Sequence, residues 1–133
     1  MSRINRLIEP GAAALRDYVD DRPEDGVFRV HSDVYTDPDL FELEQAHIFD
    51  KTWAFLGHES QLSRAHDNLS TRIGRQEVLV CRSPSGKINA FLNSCRHKGA
   101  LLTRTEQGNT KFLVCPYHGW AYDCDGKNVD VKD

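Results

Sequence analysis

The sequence predicts a mainly β protein whose helices are confined to the N-terminal part. Three observations lead there. From Trp53 onward, short segments rich in β-branched and aromatic residues follow one another. Turn signals separate several of them, at Ser83-Pro84-Ser85-Gly86, Gln107-Gly108-Asn109 and Asp125-Gly126. Helical patterning is found before Asp50. Many short strands joined by turns imply an antiparallel β domain. Residues 1–50 are therefore expected to form a helical arm and residues 51–133 the β domain.

In chain order, the first 25 residues read as a short helical arm interrupted at Pro10-Gly11, with residues 12–18 as its better half. Arg22-Pro23-Glu24-Asp25-Gly26 breaks it. Residues 27–30 suit one extended segment. Asp37-Pro38 supplies an N-cap followed by proline at the first helical position. Leu40, Leu43, His47 and Ile48 then recur at i, i+3, i+7 and i+8, predicting a helix that ends near Asp50. Strands are expected at residues 53–57, 69–73, 76–82, 87–92, 111–114, 120–122 and 127–131. The stretches after Leu92 and between Val114 and Trp120 then become strand-to-strand loops at one end of the domain.

Those two loops carry the chemistry. Cys95-Arg96-His97-Lys98-Gly99 and Cys115-Pro116-Tyr117-His118-Gly119-Trp120 each place a thiol and an imidazole on one tight turn, with seventeen residues between His97 and Cys115. Two cysteines and two neutral histidines suit an iron-sulfur cluster whose two irons see different ligands, the Rieske type. Replacing two thiolates of an all-cysteine [2Fe-2S] centre by imidazoles removes two negative charges. Reduction becomes easier, and the potential rises to roughly −150 to +300 mV from about −400 mV. Such a centre moves single electrons and does not by itself make or break substrate bonds. Cysteines are expected deep in the site and histidines nearer solvent.

Gly99 and Gly119 come after the two histidines, where a residue without Cβ takes positive φ and lets backbone N–H groups turn inward. Pro116 stiffens the second loop. Cys2His2 is also an accepted zinc set, but zinc fingers pair Cys with Cys and His with His, whereas each loop here carries one of each. Of the remaining cysteines, Cys81 lies in the apolar run Val78-Leu79-Val80-Cys81 and reads as core, while Cys124, in the turn Asp123-Cys124-Asp125-Gly126, is expected to be exposed and oxidisable.

With 133 residues, 28% charged and a net charge of −3, the chain has the composition of an ordinary globular protein with one real core. No apolar run approaches about 18 residues and no signal-like stretch opens the sequence, so a cytoplasmic, non-membrane protein is expected. No basic cluster supports a nucleic-acid surface.

The paired motifs, with Phe49-Asp50-Lys51-Thr52-Trp53-Ala54-Phe55-Leu56-Gly57-His58-Glu59-Ser60 upstream, resemble the N-terminal part of the large (alpha) subunit of Rieske non-heme iron aromatic-ring-hydroxylating dioxygenases. Gly26-Val27-Phe28-Arg29-Val30-His31 and the closing Val131-Lys132-Asp133 are more similar to the benzoate, anthranilate and salicylate branch than to the naphthalene or biphenyl branch. The resemblance implies a Rieske-type antiparallel β domain (ISP-like), cut short at its C-terminal end. It implies a [2Fe-2S] cluster on Cys95, His97, Cys115 and His118. The chain would relay electrons from a reductase or ferredoxin to a mononuclear Fe(II) in a catalytic domain outside these residues.

The resemblance further implies partnership with other oxygenase alpha subunits, with or without a beta subunit, and it makes His118 the electron port. No catalytic residue is expected within the chain itself. Glu44 and His47, three apart on one helical face, are weighed as a substitute iron site and set aside, because surface helices carry such pairs routinely. His58 is expected to cap or pack, and His31 and His66 to be exposed loop residues. Some Rieske proteins join their two loops by a disulfide; neither loop here has a spare cysteine. Trp53 and Trp120 are read first as packing aromatics and second as electron-path residues, and Arg96 and Lys98 as a docking face for an acidic donor or as a solvated loop. The alternatives are a free-standing Rieske ferredoxin and, behind it, a zinc-binding module.

Overall fold

The computed structural model describes residues 16–132. The chain divides into two units, residues 1–53 and 54–133, taken in turn. The helical expectation for residues 1–15, including Pro10-Gly11 and most of the 12–18 segment, lies outside the described residues.

In the first unit the expected helical arm is in part a β-hairpin. β1 (Val19–Arg22) pairs antiparallel with β2 (Val27–Val30), in register from Val19 against Val30 to Arg22 against Val27. The breaker Pro23–Asp25 is a single 3-10 turn closing the hairpin, with Gly26 at φ 65° as its left-handed cap. A break signal between two extended segments is also a hairpin signal. A short helical turn, α1 (Asp33–Thr36), precedes α2 (Pro38–Glu44). The expected cap is present: Asp37 Oδ1 accepts from Asp39 N–H at 2.8 Å, with Pro38 opening the helix.

The helix then continues as a five-residue π-turn, Gln45–Phe49, ending at Asp50 as expected. A π-turn adds a residue to the turn and rotates the faces beyond it. Leu40 is buried on the predicted face, but His47 and Ile48 are exposed and Gln45 turns inward instead.

In the second unit no strand forms at residues 53–57, and Trp53 and Phe55 are exposed. His58 caps a 3-10 turn, Glu59–Gln61: its Nδ1 accepts from Ser60 N–H, and Gln61 Oε1 accepts from His58 N–H at 2.7 Å. A four-stranded sheet follows in the order β5-β4-β3-β6, built from β3 (Asp67–Ile73), β4 (Gln76–Arg82), β5 (Ile88–Leu92) and β6 (Gln107–Asn109). A three-stranded sheet comprises β7 (Leu113–Val114), β8 (Ala121–Tyr122) and β9 (Asn128–Asp130), with β8 central. Among the described residues the strand pairings are antiparallel, for example Asn68 against Cys81 and Leu113 against Tyr122.

β4 explains its own sequence. Val78 and Val80 face one buried cluster with Leu62 and Leu69, while Leu79 and Cys81 face a second with Cys95, Leu102, Leu113, Cys115, Tyr122 and Cys124. A strand buried on both faces reads as a continuous apolar run. Burial of Cys81 pushes its thiol up to about 12. Cys124 corrects the expectation of exposure: it is 2% exposed, with its Sγ near Thr110 O and His66 Nδ1. The surrounding turn is at the surface, but its cysteine points inward.

Gln107-Gly108-Asn109, read as a turn, is the edge strand β6 paired to β3. Its glycine marks a close approach: a Cβ there would lie 3.1 Å from Asn68 Oδ1.

One buried residue joins the sheet to the loop beyond it. Asn93, just past β5, donates from Nδ2 to Thr103 O at 2.8 Å and Ser70 Oγ at 3.2 Å, and its Oδ1 accepts from Leu102 N–H at 3.0 Å and Thr103 N–H at 3.2 Å. Substituting Asn93→Leu leaves two amide donors unpaired, at about 1–3 kcal/mol each. Urea denaturation is expected to show a loss of about 3 kcal/mol, with faster amide exchange at Leu102 and Thr103.

Candidate metal centre

The two ligand loops share one backbone frame. In the first, Gly99 N–H donates to Cys95 O at 2.9 Å and Cys95 N–H to Ala100 O at 2.8 Å. In the second, Gly119 N–H donates to Cys115 O at 3.0 Å and Cys115 N–H to Trp120 O at 2.8 Å. The cysteine-to-glycine step is therefore four residues in both, although the cysteine-to-histidine spacing differs. Gly99 (φ 72°) and Gly119 (φ 74°) occupy the left-handed region that completes each turn. The common element is thus a cysteine–glycine frame, with the histidine placed at its third position in one loop and its fourth in the other.

Sheet and core set the depth of the donors. Cys95 and Cys115 are each 3% exposed and belong to the core cluster with Leu79 and Tyr122. His118 is half-buried and His97 exposed. The imidazole rings meet edge to face with centroids 4.6 Å apart, so both can direct a nitrogen to one metal. His118 Nδ1 is buried with no hydrogen-bond partner among the described residues. A buried imidazole nitrogen is ordinarily paired, and an unpaired one next to a second imidazole, on a loop whose cysteine is buried, fits a metal ligand. All four cysteines are free thiols.

Electrostatics favour the ligating protonation states. Burial pushes the Cys95 thiol up, but the Tyr122 hydroxyl, the His97 N–H, Cys115 and the Lys98 N–H outweigh it and hold the group below its ordinary value. The Tyr122 hydroxyl accepts from Arg96 N–H at 3.0 Å, which leaves its proton for Cys95 Sγ at 3.3 Å. Burial first, then the neighbouring His97 and Lys98, lowers the His118 value, which favours its neutral ring.

The four residues singled out from sequence lie on loops between β5 and β6 and between β7 and β8, where the two imidazoles meet and the two cysteines belong to one core cluster. Sequence reasoning missed the hydroxyl of Tyr122 as a partner of Cys95, although Trp120-x-Tyr122 puts both aromatics on one face of an extended segment. It also missed Asn93, for which a buried asparagine after a strand gives no signal distinct from a turn residue.

Among the described residues, no group of three or more His, Cys, Asp or Glu side chains converges as a single ion requires. Also among the described residues, no helix is long and apolar enough to cross a membrane.

The Rieske [2Fe-2S] domain family profile matches residues 52–133. The chain is 45% identical over 114 residues to the anthranilate 1,2-dioxygenase large subunit of Acinetobacter baylyi, covering 86% of this chain and 24% of that protein. It is 41% identical over 121 residues to the toluate 1,2-dioxygenase subunit alpha of Pseudomonas putida, covering 88% and 27%. Among solved structures, naphthalene 1,2-dioxygenase from Rhodococcus sp. bound to indole superposes with a TM-score of 0.77 at 32% identity, covering 99% of this chain and 28% of that one. The chain spans about a quarter of the length of these curated relatives.

The shared frame makes a direct test possible. At φ near +70° an alanine is strained by roughly 1–2 kcal/mol. Gly99→Ala has open space for its Cβ, with Ser94 Oγ at 3.9 Å as the nearest atom, so the backbone alone sets the cost. Chemical denaturation is expected to show a loss of about 1–2 kcal/mol.

Proposed function

The chain belongs to the Rieske [2Fe-2S] domain family, and from that premise we propose that Cys95 and Cys115 hold one iron of the cluster and His97 and His118 the other. The observation that carries this is the unpaired, buried Nδ1 of His118, set beside the His97 ring on loops whose two cysteines share one core cluster. The proposed function is electron relay in an aromatic-ring-hydroxylating dioxygenase alpha subunit. Electrons would come from a reductase or ferredoxin and go to a mononuclear Fe(II) held outside the described residues. When bound, the [2Fe-2S] group supplies reversible one-electron transfer in the range of roughly −150 to +300 mV. The large-subunit relatives and the Rieske domain match support this reading over a free-standing carrier or a zinc module.

Each residue has a task. The buried cysteines exclude water from the sulfur side. Tyr122 donates to Cys95 Sγ and holds the Arg96 amide, fixing the sulfur's position. The half-buried ring of His118, with its Nδ1 inward, offers its outer edge as the port toward a neighbouring subunit. Arg96 and Lys98, both exposed beside His97, give that face a positive charge suited to an acidic donor. The expected substrate branch is the benzoate and anthranilate one, with other alpha subunits, and a beta subunit where present, as partners.

Chemical analysis of the anaerobically reconstituted chain tests the assignment. Equal amounts of iron and acid-labile sulfide, with a rhombic EPR signal on reduction, are expected. Colourless, zinc-loaded protein would overturn it. Tyr122→Phe removes a hydrogen bond that stabilises the more negative, reduced state. A difference of about 1 kcal/mol between the redox states corresponds to roughly 40 mV for one electron, so protein-film voltammetry is expected to show a fall of that order.

A further inference from the structure

His97 lies on an exposed loop, yet its ring is not free. Its plane is 10° from that of Trp120, with centroids 4.9 Å apart, a parallel stack. Trp120 belongs to the other loop. Its carbonyl accepts from Cys115 N–H at 2.8 Å, and its side chain packs on the buried cluster that includes Leu79, Leu113 and Tyr122. One residue therefore closes the second loop through its backbone and meets the first loop's imidazole through its ring. No covalent link joins the loops, since Cys95 and Cys115 are free thiols.

On the reading that His97 is a cluster ligand, we propose that Trp120 is its positioning residue, clamping the first loop to the second by a ring stack where a disulfide is absent. An exposed imidazole flanked by Arg96 and Lys98 would otherwise lose rotamer freedom each time it ligates. The stack orders that ring in advance, as supporting contacts orient metal ligands elsewhere. Tyr122, two residues on in β8, grips the same loop at Cys95 and Arg96, so the first loop is held at its sulfur by Tyr122 and at its imidazole by Trp120. The two histidines are thereby made unequal: His97 leans on an indole anchored in the core, and His118 on the exposed ring of Tyr117, at 3.8 Å between centroids.

The test compares the reconstituted full chain with Trp120→Leu and Trp120→Phe. Leucine fills part of the core volume without an aromatic face; phenylalanine keeps a smaller one. Two quantities are read: the 14N couplings of the reduced state by pulsed EPR, and the time for visible absorption to bleach in an iron chelator. Wild type is expected to give two nitrogen couplings. Trp120→Leu is expected to shift or broaden one of them and leave the other, and to bleach roughly three- to tenfold faster, the factor an aromatic pair contributes. Trp120→Phe falls between.

A Trp120→Leu protein with both couplings and the bleaching time of wild type overturns the proposal. Should the leucine variant fail to fold by circular dichroism, Trp120→Phe decides on the same two readouts, and an unchanged result there overturns it equally. Wild type without nitrogen couplings would instead overturn the ligand assignment beneath it.

Discussion

The β unit is organised by one backbone constraint: two cysteine–glycine turns of the same frame bury their sulfurs in one core and leave their imidazoles nearer solvent. Each turn is closed by the same two backbone hydrogen bonds, cysteine N–H to the residue five on and glycine N–H back to the cysteine carbonyl. That frame fixes both sulfurs in the core, whatever the position of the histidine within it. Left-handed φ at Gly99 and Gly119 is its geometric requirement.

The core and the site are one structure. Cys95 and Cys115 are members of the cluster formed by Leu79, Cys81, Leu102, Leu113, Tyr122 and Cys124, so burying the donors and building the core are the same event. On the proposed assignment, metal binding would contribute directly to folding, because ligands that are core residues are not assembled in the unfolded chain. Asn93 extends the arrangement: it bonds Thr103 and Leu102 on the far side of the first loop and Ser70 in β3, so the loop leaves and rejoins the sheet at one buried point.

Much of this was legible in the sequence, for identifiable reasons. The two Cys/His motifs pointed to the Rieske domain family, which matches residues 52–133, because both residue type and spacing are specific. β4 and the helix starting at Pro38 were legible because each carries a strong local signal, a doubly buried apolar run and a capped N-terminus. Failures arose where tertiary contact overrode local signal. Gly108 looked like turn punctuation but serves a close strand approach to Asn68. Cys124 sits in a surface turn yet faces the core. Val19–Arg22 is polar and short, and it becomes a strand only because Val27–Val30 pairs with it. Within the site, the four ligand candidates were visible, while the residues that steady them, Tyr122 and Asn93, were not, since their role lies in hydrogen bonds between distant segments.

The functional picture is of a wire with two unlike ends: thiolates deep in the core and imidazoles toward solvent. Mössbauer spectroscopy of the chain reconstituted with 57Fe tests it most directly. The account predicts two quadrupole doublets of equal area in the oxidised state, one for a sulfur-only iron and one for an iron with two nitrogens, with the added electron localised on the second. A single doublet, or iron in any form other than a coupled pair, would contradict it.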